Sequence, residues 1–210
     1  TIVEWNKEWL RFTRSRDVYL TLSSITSTGN TASYHPVDVM DYDGMVAVGA
    51  SLERVITGLV HGAGLEDSKL VAQKDSSVFD KVVRVKVDGW RCMLAACTAS
   101  GADLPTFAAC FTSVAGRFGN GGQTDYAAAN SVLDAEMARL TASGVCRGVA
   151  IGWTGWRDVG MATRGSIEAV FAAAGIDTLS VEQGVEIFVG EALAGGKRRV
   201  IGCGLSLIHI

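Results

Sequence analysis

TFAACFTSVAGRFGNGGQTDYAAANSVLDAEMARLTASGVCRGVAIGW, residues 106–153, holds one full structural period of the chain. It opens on a short apolar run at 106–112 and crosses a glycine-rich loop to Asp125. A helical pattern covers 126–143, and a second short apolar run follows at 148–153. Runs this short and this apolar suit parallel strands buried between two layers of helices. Parallel neighbours must be joined by a crossover, and the helix over 126–143 supplies it with the usual right-handed sense.

The same rhythm extends in both directions. Residues 32–39, 55–60 and 198–203 are further predicted strands, and helical patterns cover 42–53, 77–100 and 181–193. Strand–helix alternation of this kind predicts an α/β fold, a Rossmann-like doubly wound parallel sheet. Residues 1–30 break the rhythm. Trp5, Trp9, Leu10 and Phe12 stand among charges, with predicted helices over 4–14 and 18–26. No strand–glycine-loop–helix opening occurs there, and no GxGxxG occurs anywhere in the chain. GNGG at 119–122 comes several residues after a strand, in mid-chain.

At 210 residues the chain suits one α/β domain. A net charge of −3, without a Lys/Arg stripe, argues against a nucleic-acid partner. The five cysteines (Cys92, Cys97, Cys110, Cys146 and Cys203) are odd in number and lack CxxC spacing. They read as reduced thiols of a cytoplasmic protein, and no metal site is expected. No apolar run approaches the ~18 residues of a membrane helix, so no membrane partner is expected.

Chemistry gathers around the period first quoted. On the helix over 77–100, Phe79, Val82, Val83, Lys86 and Trp90 share one stripe, with Asp80, Lys81, Arg84 and Asp88 opposite. Lys86 therefore projects from the apolar side, where an unpaired ammonium is costly. Either its head snorkels to water or it has a polar partner. Ser113 stands at the carboxyl end of a strand, where open α/β sheets place ligands. Tyr126 and Asn130 sit at i and i+4 and face the same way. Each has an ordinary structural explanation alone; the ordered set Lys–Ser–x12–Tyr–x3–Asn is harder to explain that way.

TSVAGRFGNGGQTDYAAAN at 112–130 and RVKVDG at 84–89 closely resemble ketoreductase domains of type I polyketide and polyunsaturated-fatty-acid synthases, members of the short-chain dehydrogenase/reductase superfamily. HGAG at 61–64, YHPVDVMD at 34–41 and GWTGW at 152–156 match the same pattern. EWL at 8–10 looks like the insertion these domains carry between their second and third strands. The resemblance covers roughly 31–204, the expected catalytic part, with 1–30 as the segment before the third strand.

That resemblance implies NADPH-dependent reduction of a β-ketoacyl thioester borne by an acyl carrier protein, inside a multidomain synthase. The rivals are a free-standing short-chain reductase and a non-catalytic domain of the same fold. Tyr126 would be the general acid. Lys86 would lower the phenol pKa, Ser113 would hold the substrate carbonyl, and Asn130 would complete a polar relay. In this branch lysine and asparagine exchange the positions usual in the superfamily, and position 130 is Asn. For the cofactor, the resemblance implies Asp38 and Val39 at the adenine, His61, Gly62 and Ala63 under the adenosine ribose, and Trp153 and Thr154 beside the nicotinamide. Residues 161–175 match the mobile lid, with Gly165 and Gly175 as flex points.

The phosphate-gripping glycine loop belongs to the family's first strand–helix–strand unit. The chain is accordingly expected to lack the first two strands, and with them cofactor binding and turnover on its own. Leu65-Glu66-Asp67 replaces the family's Leu-Asp-Asp, and Phe118 stands where the other stereochemical class carries Trp, so neither stereochemical pattern is complete. The last six residues, LSLIHI at 205–210, match a common transposon-derived sequencing adapter read through in one frame. They are set aside, His209 included.

Overall fold

In the computed structural model, which describes residues 2–161, 177–194 and 199–203, the first element is helix α1 (Ile2–Ser27). Residues through Val37 form one compact unit, and those from Asp38 onward form another. The two helices predicted over 4–14 and 18–26 are one. No Gly or Pro interrupts Ile2–Ser27, and the Thr13, Thr21 and Thr26 hydroxyls donate back to carbonyls of their own helix.

The strand predicted over 32–39 does not form. Pro36 has no amide to donate, and the neighbouring polar groups bond locally instead. Val37 N donates to the His35 carbonyl at 2.9 Å. Asp38 accepts twice, from Met40 N at its carboxylate and from Asp41 N at its carbonyl, both at 2.9 Å. These bonds make a turn where a strand would need a ladder partner.

From Asp38 on, the order is α2 (Tyr42–Ser51), β1 (Gly58–His61), a 3-10 turn (Val71–Gln73), α3 (Ser76–Ala99), β2 (Phe107–Ser113), α4 (Ala115–Phe118), α5 (Thr124–Ala142), β3 (Arg147–Trp153), α6 (Val181–Ala194) and β4 (Arg199–Gly202). Short acids start two of the helices: Asp41 caps α2 by accepting from Gly44 N, and Asp75 caps α3 by accepting from Ser77 N. The four strands are parallel, in the order β1-β2-β3-β4, as in one wing of a doubly wound α/β sheet. β1 starts later than the predicted 55–60, because Ile56 N is taken by the Ser100 hydroxyl at 2.9 Å.

Alternate residues of β2 face opposite layers. Ala108 and Cys110 join Trp90, Leu133, Met137 and Leu140 of α3 and α5. On the other face Ala109 and Phe111 join Ile151, Trp153, Leu179 and Phe188. Cys92, Cys97, Cys110 and Cys146 are buried and free. This sandwich brings His61, Ser113 and Trp153 to the carboxyl ends of adjacent strands. The expected lid residues 162–175 and the tail at 205–210 lie outside the described residues.

Candidate active site

Lys86 does not snorkel. It is 2% exposed, and its ammonium donates to the Phe111 carbonyl on β2 at 2.9 Å. Burial pushes its pKa down from 10.5 to about 8. Room for the head exists because residue 64 is glycine: a Cβ there would lie 3.3 Å from the Nζ and 3.2 Å from the Cε. His61 steadies the same turn of α3. Its Nε2–H donates to the Lys86 carbonyl at 3.0 Å, and burial, aided by the Lys86 charge, lowers its pKa to about 4. The ring is therefore neutral at physiological pH.

Tyr126 stands in the first turn of α5, 8% exposed, with Leu65, Val78, Val82, Ala115 and Met161 around it. The Lys86 ammonium lies 5.8 Å from its ring centre. Asn130 Nδ2 donates to the Tyr126 carbonyl at 2.7 Å, and Asn130 Oδ1 is buried without a hydrogen-bond partner among the described residues. Ser113 Oγ accepts from Ala115 N at 3.1 Å. Burial raises the phenol pKa, while hydrogen bonds with Ser113 and Asn130 pull it back. The Lys86 ammonium, expected to lower it, donates to the Phe111 carbonyl and stands beside the ring. All four predicted catalytic residues thus meet at the end of β2, brought from α3, β2 and α5.

A KR domain family model matches residues 11–158. The chain belongs to the ketoreductase (KR) domain family. Polyketide synthase ThaG of Burkholderia thailandensis is 38% identical over 161 residues, which cover 72% of this chain and 3% of that protein. An erythronolide synthase of Saccharopolyspora erythraea is 31% identical over 176 residues, 83% of this chain and 5% of that one. The crystal structure of a ketoreductase domain from the bacillaene assembly line superposes with a TM-score of 0.74 at 26% identity, covering 92% of this chain and 48% of that chain. This KR chain therefore spans a small part of the curated relatives it matches.

The KR fold also locates the residues expected at a nicotinamide cofactor. Gly62, just past β1, is exposed, and none of the described residues lies within 4 Å of where its Cβ would stand. Such open backbone at a strand's carboxyl end fits close approach by a dinucleotide. Ala63 is half-buried and Asp38 exposed, while Val39 packs against Gly89. The His61 and Trp153 side chains turn into the core instead. Trp153 packs on Trp156 at 5.0 Å and on Phe111 at 5.4 Å between ring centres. The Thr154 hydroxyl donates to the Asp177 carbonyl at 3.4 Å.

Sequence reasoning missed Lys74 and Asp125. Their side chains are 4% and 1% exposed and form an ion pair at 2.8 Å beside Tyr126. Fifty-one residues separate them, so no helical or strand period joins them. The one available signal was an acid directly before the tyrosine.

Proposed function

We propose that this KR domain reduces a β-ketoacyl thioester, carried on an acyl carrier protein, to the β-hydroxyacyl thioester with NADPH. The observation that carries this reading is the meeting of Lys86, Ser113, Tyr126 and Asn130 at the carboxyl end of β2. A bound nicotinamide dinucleotide, with Asp38 and Val39 toward the adenine, Gly62 and Ala63 under the adenosine ribose and Trp153 and Thr154 beside the nicotinamide, would supply the hydride. His61 serves that segment from below by fixing Lys86.

The chain's own residues handle the ketone oxygen. Ser113 donates a hydrogen bond to it and holds it against the phenol. Tyr126, kept protonated by its buried setting, gives the oxygen its proton as the carbonyl carbon is reduced. The phenolate left behind draws the Lys86 ammonium, 5.8 Å from the ring, and Asn130 Oδ1 offers the acceptor through which a proton returns. The partner domains are those of a polyketide or fatty acid synthase. A reducing compartment such as the cytoplasm keeps the four buried thiols free.

The test is turnover by the full-length protein, offered a β-ketoacyl thioester on carrier protein with NADPH or NADH. Consumption of NADPH with formation of the β-hydroxy product is expected. Tyr126→Phe should cut kcat by at least ~10² and leave NADPH affinity nearly unchanged. Preference for NADH would overturn the cofactor assignment. A variant within about tenfold of wild type would overturn Tyr126 as the proton donor.

A further inference from the structure

The segment between β1 and α3 is strapped onto the helix that carries Tyr126. Lys69 N donates to the Gly122 carbonyl at 3.0 Å, and Gln123 Nε2 donates to Glu66 Oε1 and to Ser68 Oγ at 3.1 Å each. Beneath this exposed stitching lies the buried pair. Lys74 Nζ reaches both oxygens of Asp125, at 2.8 and 2.9 Å, and also donates to the Asp67 carbonyl. Asp125 Oδ1 in turn accepts from the Tyr126 amide at 2.9 Å. Gln123, at the N-cap of α5, makes no side-chain cap, and Asp125 satisfies one of the free amides of the first turn, that of Tyr126.

We propose that Lys74 and Asp125 are positioning residues, which lock residues 65–75 onto the first turn of α5 and so fix Tyr126 relative to Ser113 and the substrate side of the cleft. The claim rests on the ketoreductase reading. Two observations favour positioning over mere adhesion. A buried ion pair is a poor source of stability compared with apolar residues of the same size, so its gain is in geometry. The pair also acts at two places at once: it holds the loop at Asp67 and the Tyr126 amide through Asp125. Leu65, at the head of the same loop, packs against the Tyr126 cluster, so a loop that lifts also opens the wall beside the phenol.

The test compares wild type, Lys74→Met and Lys74→Arg in the full-length protein by hydrogen exchange and by kinetics. In Lys74→Met the amides of residues 66–74 and of Tyr126 should exchange at least ~10-fold faster, with β2 and β3 unchanged. At saturating NADPH, kcat should fall ~10- to 100-fold, while NADPH affinity stays within about threefold. Lys74→Arg, which keeps the charge, should recover most of both. Unchanged exchange in Lys74→Met would show that there is no lock. Faster exchange with unchanged kcat would overturn the positioning role. If Lys74→Met loses protection in β2 and β3, Asp125→Asn carries the same readouts, and the same loss there would assign the pair to folding at large. A wild type that reduces no thioester would remove the function reading, while the exchange results still decide whether the lock exists.

Discussion

Replacing Lys86 with methionine should stabilise the folded chain while abolishing turnover. The ammonium is 2% exposed and its pKa falls from 10.5 to about 8, chiefly by burial. At ~1.4 kcal/mol per pH unit, keeping this group charged in the fold costs about 3 kcal/mol. Methionine is of similar length and removes that cost, but it leaves the Phe111 carbonyl without the lysine donor, a loss of ~1–2 kcal/mol. The net gain is about 1–2 kcal/mol at neutral pH. The pKa is lower folded than unfolded, so the wild-type penalty is complete below pH 8 and fades as pH rises from about 8 to 10.5. Urea denaturation of both proteins across that range should show the gap closing toward the alkaline end. A Lys86→Met protein that is less stable than wild type at pH 7, with a gap independent of pH, would refute the argument. It would mean that the ammonium is solvated or paired in a way its burial does not suggest.

Three further predictions use backbone geometry. Gly62→Ala should leave stability within ~0.5 kcal/mol, because none of the described residues lies near its Cβ position, yet weaken NADPH binding measurably by calorimetry. Gly64→Ala should instead press on the Lys86 head and lower kcat; equal behaviour of the two variants would contradict the placement of that ammonium. Gly116→Ala sets a Cβ 2.7 Å from that of Asn130, forcing α4 off α5 at a cost of about 1–3 kcal/mol by urea denaturation. No loss there would show that the two helices slide apart freely.

Much of this fold is written locally. The strands at 106–112 and 148–153 and the helix between them were legible because period and length act within a few residues, and each was found within two residues of its expected bounds. The run at 32–39 had strand composition but no ladder, and Pro36 with the Asp38 turn settled it. Sequence also named Lys86, Ser113, Tyr126 and Asn130, since their order and spacing on a strand–helix frame form a pattern. What that pattern cannot carry is direction and distance. Only the packed sheet decided that Lys86 turns inward to Phe111, and that His61 and Trp153 point into the core. Only the chain's return after fifty-one residues set Lys74 against Asp125. Burial creates these effects: a charge removed from water takes whichever partner the surrounding elements bring, and that choice is made by packing between segments remote in sequence.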